Sequence, residues 1–410
     1  MTESVIIRPT TVEEVAAAVR RAHHESLPVT VVAGGHGPWS HGAYPGLRIE
    51  LSELSGITIE GTAVHVSGGA VWGDVAAAIA PHGLAISSGD TATVGVGGLT
   101  LGGGIGWMVR SWGLAVDQLV GAQVVTATGE VVEASATENA DLFWALRGGG
   151  GNFGIVTRFD FAAHPLEGIV YSESALAAGS AAVLRATSQL MRDAPRELTV
   201  TFMDVPPMDP SAPAGARLSA VWAGIEADRL REVLAPITEI DGVSTEITTP
   251  AYRDILMEPP TPPEGEEQLP PGFIGGNGLF AHLDDDLIDR LVAFRVAYPA
   301  SVVFLRSLGG AFGDVEQEST AFPSREATWF VMAGAFDIPG LVDDDARASI
   351  LADWEQIERG RLAEYGNFAP TERPAAVPGM FTSAAHARLA EVKRVWDPEN
   401  LFRRNHNIAP

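Results

Sequence analysis

Glycines crowd one stretch of this 410-residue chain, residues 89–106, where few polar side chains stand between them. Glycine loses more backbone freedom than any other residue when it enters a helix or a strand, so this stretch is predicted to be neither. Without Cβ atoms its backbone can approach a partner closely. The chain must therefore fold around an irregular segment that is suited to lie against something flat or charged.

A second glycine-rich loop surrounds His36 in Ala33-Gly34-Gly35-His36-Gly37. It follows the β-branched run Pro28–Val32, which predicts a buried strand. Glycine amides there can turn toward an anion such as a pyrophosphate, with the histidine projecting a nucleophilic ring nitrogen beside it. A tight surface turn with an incidental histidine explains the same segment equally well.

Composition excludes several classes of function. The formal net charge of −25 disfavours nucleic acid and anionic membranes as partners. The absence of cysteine excludes disulfides, thiolate metal sites and a cysteine nucleophile. The acidic groups 284–286 and 343–345 are predicted to open helices rather than to bind metal, so no metal site is expected. No apolar run approaches the length of a membrane span and no secretory signal is visible, which predicts a cytoplasmic protein.

The first part of the chain alternates short helices and strands. Gly61-Thr62 and Thr128-Gly129-Glu130 predict hairpin turns. We expect helices at 11–24, 72–81 and 141–147, and strands at 29–33, 47–51, 57–60, 63–67, 120–127, 131–134 and 155–161.

Composition changes after His164-Pro165, and the following region is predicted to be an α+β substrate domain. A proline-rich surface loop is expected at 258–271. The final helix, 386–396, is expected to return to the first domain. The predicted domains are therefore 1–165, 166–370 and 371–410. We expect strands at 198–205, 218–222, 302–305 and 328–333, and helices at 181–192, 228–236, 285–298 and 343–365.

Gly149–Gly154 matches the G-x-G-x-x-G pattern of dinucleotide-binding folds. That fold needs the motif between a strand and the N-terminus of a helix. Here a helix precedes the glycines and a strand follows, so the match is weak evidence for NAD. A backbone contact with a bound ligand and a simple helix end both remain open.

Together these segments resemble the berberine-bridge-enzyme-like branch of the FAD-linked oxidases of the vanillyl-alcohol oxidase type. Five blocks carry the resemblance in the same order along the chain: 34–36, 94–107, 141–157, 309–325 and 396–408. It implies an α+β fold, in which a two-part PCMH-type FAD-binding domain accompanies a substrate domain with a mostly antiparallel sheet and helices.

The resemblance also implies the cofactor and its contacts. His36 matches the histidine that bonds covalently to the 8α carbon of the flavin. Asn405 and Asn407 match tail asparagines on the flavin side, although capping the last helix is an alternative role for one of them. The remaining implied FAD contacts are Gly34, Gly35, Ser40, Thr93, Val94, Gly97, Gly98, Gly103, Gly154, Ile155 and Val156.

Three departures from the family pattern matter. Many relatives tether the flavin a second time through a cysteine at the position of Thr91, so here only a single attachment is possible. Leu99 and Pro38 replace a histidine and a tyrosine that are common in relatives, which puts the usual base in doubt. Val94 matches a position facing the flavin where a small residue leaves room for dioxygen, and this favours an oxidase.

A base should take the proton of the substrate hydroxyl or amine. Tyr365 is the best candidate, because Tyr365–Phe368 resembles a segment on the substrate side of the flavin, while Phe368 cannot act. His282, Arg306 and Arg325 could orient an anionic group, although a structural role is favoured for each.

Three functions stay open at this point. The first is a covalent FAD oxidase that takes a hydride from a small molecule or secondary metabolite and reduces dioxygen. The second is a flavoprotein cyclase without net redox turnover. The third is a flavin-binding or interaction module that has lost its chemistry. Oligomeric state and substrate cannot be read from the sequence.

Overall fold

A computed structural model describes residues 4–41, 46–176, 180–206, 215–258, 272–337, 342–369 and 374–410. The chain forms two halves, each built around its own sheets and apolar core. The first half holds a three-stranded sheet, a five-stranded sheet and a two-stranded pair, and the second half holds one seven-stranded sheet. The α+β prediction is confirmed.

The first half contains ten strands and five helices within the described residues. Its helices are α1 (Val12–His24), α2 (Trp72–Ile79), α3 (Val96–Leu101), α4 (Val109–Trp112) and α5 (Ala140–Leu146). Its strands are β1 (Ser4–Ile7), β2 (Val29–Val32), β3 (Gly46–Glu50), β4 (Ile57–Glu60), β5 (Ala63–Ser67), β6 (Leu84–Ala85), β7 (Leu119–Val125), β8 (Val131–Ser135), β9 (Ile155–Ala162) and β10 (His164–Pro165).

The three-stranded parallel sheet, in the order β1-β3-β2, carries the loop of His36 at the end of β2. The helix α1 begins where the Thr11 side chain accepts a hydrogen bond from the Glu14 amide at 3.2 Å. Its apolar face, including Val15 and Val19, packs on Leu47 of β3. This packing fixes the end of β2, and therefore the start of the histidine loop.

The antiparallel five-stranded sheet has the order β4-β5-β9-β7-β8. Both predicted hairpins are present, and Gly61 and Gly129 occupy left-handed turn positions, with φ of +63° and +75°. The strand β9 lies at the centre, and the chain enters it from the glycines at 148–151. The sheet thus places the glycine loop at 148–151 near the loop that contains His36.

The second half is an entirely antiparallel sheet in the order β14-β11-β13-β12-β16-β17-β15, with helices packed on it. Its strands are β11 (Val170–Leu176), β12 (Leu198–Val205), β13 (Gly215–Trp222), β14 (Val243–Thr248), β15 (Gly272–Phe280), β16 (Ser301–Ser307) and β17 (Trp329–Asp337). Its helices are α6 (Ser180–Met191), α7 (Ala227–Thr238), α8 (Asp285–Ala297), α9 (Ala311–Asp314) and α10 (Asp344–Ile357).

The acidic groups open helices, as predicted. Asp284 and Asp343 are the N-caps of α8 and α10, and each carboxylate accepts a hydrogen bond from the backbone amide three residues later at 2.8 Å. The last helix, α11 (Ser383–Trp396), packs on α5, and its Leu389 lies in the core of the first half. The last helix thus returns to the first half of the molecule.

Several expected elements differ from the structure. The helix expected at 343–365 ends at Ile357, because Gly360 turns the chain with φ of +84°. The strands β11, β14 and β15 were not predicted. The prediction of no helix in the glycine stretch was wrong for Val96–Leu101, which forms α3. Residues 259–271 of the expected proline-rich loop lie outside the described residues.

Candidate active site

A cavity of about 630 Å³ lies between the two halves and collects the glycine-rich loops. This volume is in the range of small-molecule and cofactor sites. Twelve of the predicted site residues line it: Gly34, Gly35, His36, Ser40, Val94, Gly97, Gly98, Gly154, Ile155, Val156, Tyr365 and Asn405.

His36 extends from its loop into this cavity, and its side chain is exposed there. Its Nε2 lies 2.9 Å from the Thr93 hydroxyl. Desolvation by the surrounding chain lowers the pKa of His36, and the nearby charge of His41 lowers it further. A neutral ring at neutral pH keeps a lone pair on one nitrogen, which is what a nucleophile or acceptor requires.

Three predicted contacts do not line the cavity wall. Thr93 does not line the cavity itself, but its hydroxyl is hydrogen-bonded to His36, which does. Gly103 packs behind the wall, where a Cβ would lie 2.6 Å from the Phe322 ring. Asn407 lies beyond the cavity lining, and its Oδ1 is buried without a hydrogen-bond partner. Their contacts with the cofactor therefore stay predictions.

The glycine stretch meets protein along its second part. A Cβ on Gly102 would lie 2.0 Å from Asn367 Oδ1, and one on Gly106 would lie 1.5 Å from the Ser88 carbonyl oxygen. Gly98 is different, because nothing lies within 4 Å of the place where its Cβ would stand, and it lines the cavity. Residues 102–106 thus make the expected close approach to other segments of the chain. At Gly98, the space beside the backbone is free for a ligand.

The C-terminal tail forms another wall and is fastened by a fully buried ion pair. Lys393 Nζ donates to Asp397 Oδ2 at 2.6 Å, to the Asn152 carbonyl at 2.7 Å and to the Phe402 carbonyl at 3.0 Å. The Asn152 side chain in turn bonds the tail at the His406 carbonyl and at the Ile408 amide. Lys393 thereby joins the last helix to the 148–154 glycine loop and to the tail. The loop and the tail both line the cavity.

Tyr365 lines the cavity, and its phenol oxygen accepts two hydrogen bonds. The Gly104 amide donates at 3.0 Å and Asn367 Nδ2 at 2.8 Å. Aromatic rings of Phe322, Phe330 and Phe368 surround it. Burial raises the pKa of Tyr365 to about 12, while the two donors act in the opposite direction. At neutral pH the group is therefore a phenol whose oxygen lone pairs are occupied.

The seven-stranded sheet gives the cavity an apolar wall. Met203 of β12, Phe304 of β16 and Met332 of β17 are directly paired neighbours across the three strands, and all three line the cavity. The sequence did not identify this row, because burial on one face of a strand is decided by which strands become its neighbours. Tyr365 and Asn367 complete this side with hydrogen-bonding groups.

One carboxylate, that of Asp90, also lines this part of the cavity. Its Oδ1 accepts a hydrogen bond from Arg306 Nη1 at 2.5 Å. Arg306 is 1% exposed, bonds Thr201 Oγ1 through Nε at 2.8 Å, and has the Trp107 ring 4.4 Å from its guanidinium carbon. The sequence analysis did not identify Asp90, because no distinctive pattern marks the position before Thr91.

The three groups considered for anion binding do not line the cavity. The Arg325 guanidinium is bound by both oxygens of Asp117, at 2.8 Å and 2.7 Å. His282 is exposed and does not line the cavity. Arg306 is turned toward Asp90 and does not line the cavity either. Arg325 and Arg306 are each held by a carboxylate, and the structural role favoured for the three residues stays a prediction.

The cavity fits FAD by its own features. Gly35, with φ of +76°, and Gly98 both line it, and added Cβ atoms at these positions would meet open space that a ligand can fill. Asn405 Oδ1 is buried beside it, with no hydrogen-bond partner in the part of the chain that the structure describes. A long, glycine-lined cleft with spare acceptors is suited to a dinucleotide whose ring system needs close backbone contact.

Nowhere in ranges 4–41, 46–176, 180–206, 215–258, 272–337, 342–369 and 374–410 do three histidine or acidic side chains gather as metal ligands. Over the same ranges, every helix is too short or too polar to cross a membrane.

Comparisons with known proteins agree with this geometry. Residues 4–135 match the model of an FAD binding domain, and residues 364–409 match the berberine and berberine-like model. The chain is 28% identical to (R)-6-hydroxynicotine oxidase of Paenarthrobacter nicotinovorans over 99% of this chain and 91% of that protein. It is 41% identical to glucooligosaccharide oxidase of Sarocladium strictum over 38% of this chain and 33% of that protein.

The solved structures extend the likeness to the whole fold. The structure of a chitooligosaccharide oxidase superposes with a TM-score of 0.85 at 25% identity, covering 100% of this chain and 92% of that one. The predicted resemblance is therefore confirmed at both ends of the chain and across its architecture. The chain therefore carries an FAD binding domain and a berberine-like C-terminal segment, and it resembles the berberine-bridge-enzyme-like FAD-linked oxidoreductases along its length.

Proposed function

We propose that this protein is an FAD-dependent oxidase of a small molecule, with the flavin attached once, through His36. The observation that carries the proposal is the single cavity that joins the histidine loop of one half to Tyr365 of the other. Bound FAD would accept a hydride from a C–H next to a hydroxyl or amine. It would then pass the two electrons to dioxygen, which becomes hydrogen peroxide.

The ring of His36 supports the attachment. Thr93 holds Nε2, so the ring is fixed and Nδ1 is the nitrogen left to bond the flavin. The lowered pKa of His36 keeps the ring neutral at neutral pH, which leaves that nitrogen its lone pair. Without any cysteine in the chain, a second thioether attachment has no residue to form it.

Tyr365 would manage the proton of the substrate. With both lone pairs of its oxygen engaged by Gly104 and Asn367, its own O–H is free to donate to a hydroxyl or amine in the cavity. The same two donors would stabilise a phenolate, which is the form that can take a proton from the substrate. Since the pKa is about 12, we expect the turnover rate to rise toward alkaline pH.

Val94 supports the choice of dioxygen as electron acceptor. It is a half-buried side chain on the cavity wall, and its amide is held by the Thr91 carbonyl at 3.2 Å. Its modest size leaves space that a larger residue would fill. We therefore expect Val94→Leu to slow the reaction with dioxygen more than the reaction with substrate.

The test is anaerobic mixing of the purified holoprotein with a panel of alcohols and amines, followed by admission of dioxygen. Bleaching of the flavin by a compound, and then one hydrogen peroxide per product, is the expected result. Tyr365→Phe should slow the bleaching, while Tyr171→Phe, whose ring does not line the cavity, serves as the matched control. Product formation without bleaching would contradict the oxidase and favour a cyclase.

A further inference from the structure

The carboxylate of Asp90 is the feature of the cavity that the proposed oxidation leaves unexplained. Arg306 occupies only its Oδ1, and no described residue donates a hydrogen bond to Oδ2. The Asp90 side chain is 13% exposed, and Asp90 lines the cavity. Asp90 is half-buried, and its Oδ2 can accept a hydrogen bond from a donor on the occupant of the cavity.

The ion pair is oriented, with its negative end toward the cavity. Arg306 is 1% exposed and does not line the cavity, and its Nη2 is buried without a partner. The indole of Trp107 covers the guanidinium. A ligand in the cavity therefore meets the carboxylate and cannot reach the cation behind it.

The backbone holds Asp90 in this orientation. Its carbonyl accepts a hydrogen bond from the Met257 amide at 2.6 Å, and the Met257 carbonyl accepts one from the Ala92 amide at 2.9 Å. These two bonds join the start of the glycine stretch to the second half. The carboxylate is thus fixed relative to the wall of the seven-stranded sheet, as a recognition group must be.

The surroundings of Asp90 are apolar. Met203, Phe304 and Met332 form the row across the sheet, with Met257 beside them on the cavity wall. Among the polar side chains on this wall, Tyr365 and Asn367 already bond each other at 2.8 Å. Such a wall offers few partners for a ligand with many hydroxyl groups, because each unpaired hydroxyl would cost free energy on burial.

We propose that Asp90 selects the substrate: a small, largely apolar molecule with one basic nitrogen, whose N–H binds Oδ2. A charge-assisted hydrogen bond satisfies both the charge and the free acceptor. The net charge of −25 also favours the approach of a cation over that of an anion. The inference rests on the proposed function, since it names the substrate class of the same cavity.

The experiment measures binding by calorimetry on the purified holoprotein, so that turnover is not required. The probes are benzylamine, 2-phenylethylamine and 4-phenylbutylamine, each beside the alcohol and the carboxylate of matching chain length. We expect at least one amine to bind tenfold or more tightly than its alcohol, and the carboxylates to bind most weakly. If no amine binds more tightly than its alcohol, the inference is wrong.

Two variants assign the preference to Asp90. Asp90→Asn keeps the size of the side chain and an oxygen for Arg306, and should reduce the ratio of amine to alcohol affinity at least tenfold. Met203→Leu alters the same wall without changing charge and should keep that ratio. An unchanged ratio in Asp90→Asn would overturn the assignment.

Failure of this inference is distinguishable from failure of the proposed function. The flavin content of the same preparation is read from its absorbance. If the protein contains flavin and reduces dioxygen but binds alcohols or sugars more tightly than amines, only the inference about amines is wrong. If Asp90→Asn does not fold, the ratio measured on the unaltered protein still decides the question.

Discussion

Gly34 and Gly95 lie in direct backbone contact, each occupying the space that a side chain on the other would need. A Cβ on Gly34 would stand 2.1 Å from the Gly95 nitrogen, and one on Gly95 would stand 2.3 Å from the Gly34 nitrogen. The contact joins the histidine loop to the glycine stretch. It therefore sets the distance between His36 and Thr93, whose hydrogen bond depends on it.

This contact predicts opposite effects for two glycine substitutions. Gly34→Ala forces two backbones apart and should lower the melting temperature and the yield of folded protein. Gly98→Ala meets open space inside α3, where replacing glycine by alanine favours the helix by up to about 1 kcal/mol. Its methyl group, however, enters the cavity.

We therefore expect Gly98→Ala to fold normally with a reduced flavin content, measured by absorbance and thermal unfolding. A variant that folds and loads flavin as the unaltered protein does would show that this part of the cavity does not hold the cofactor. Loss of folding in both variants would mean that the glycines act only through packing.

Thr93 should control the rate of flavin attachment. Thr93→Val keeps the shape of the side chain but removes the partner of His36 Nε2. The ring is then free to rotate, and covalent incorporation into apoprotein incubated with FAD should slow. Thr93→Ser retains a hydroxyl and should restore most of the rate, which a purely steric role would not predict.

Lys393 should stabilise both the fold and the flavin site. Lys393→Met leaves buried Asp397 without its cation, and breaking such a pair costs about 3–5 kcal/mol of unfolding free energy. Arg394→Met, on the next, exposed position of α11, should change it by less than about 0.5 kcal/mol. Chemical denaturation measures both. Equal effects of the two substitutions would refute a special role for the buried pair.

Tyr365→Phe should reduce the rate constant for flavin reduction by about 10²–10⁴-fold, the range of a lost general acid or base. Some loss of stability, about 1–3 kcal/mol, is also expected, because the buried Gly104 amide loses its acceptor. The alkaline rise of the rate should disappear in this variant. A rate that keeps the original pH profile would exclude Tyr365 as the proton acceptor.

Acid should destabilise the protein partly through buried histidines. Burial lowers the pKa of His164, which is stacked on Trp112, and that of His406, whose Nε2 lies 2.7 Å from the Gly366 carbonyl oxygen. Below about pH 6.5, unfolded histidines take up protons that these folded residues do not. The unfolding free energy therefore falls as the pH falls below that value.

Denaturant titrations between pH 7.5 and pH 5 would measure this fall. His164→Gln should make the fall shallower, because the substituted residue takes up no proton in either state. A slope that stays the same in this variant would show that His164 does not contribute to the linkage.

Local patterns predicted much of the first half. The hairpins of β4–β5 and β7–β8 depend on short turns with Gly61 and Gly129, whose effect is local. The start of α1 depends on the Thr11 cap, which is equally local. The family pattern identified His36 and Tyr365, which the structure brings to one cavity.

Long-range contacts explain what the sequence did not reveal. The strand β15 is rich in glycine and lacks a strand signal, yet nine residues of it pair with β17 along its whole length. The orientation of the Asp90 carboxylate depends on Arg306 of β16, which lies 216 positions later in the sequence. The packing of Phe322 against Gly103 was likewise not predicted, because these residues are far apart in the sequence. Such pairings are decided by tertiary packing.

Acid precipitation of the purified protein shows whether His36 holds the flavin covalently. We expect flavin absorbance in the washed pellet of the unaltered protein and of His41→Ala, a change in the same loop that spares the cavity wall. His36→Ala should release all flavin to the supernatant. Flavin in the pellet of His36→Ala, or flavin in the supernatant of the unaltered protein, would contradict attachment through His36.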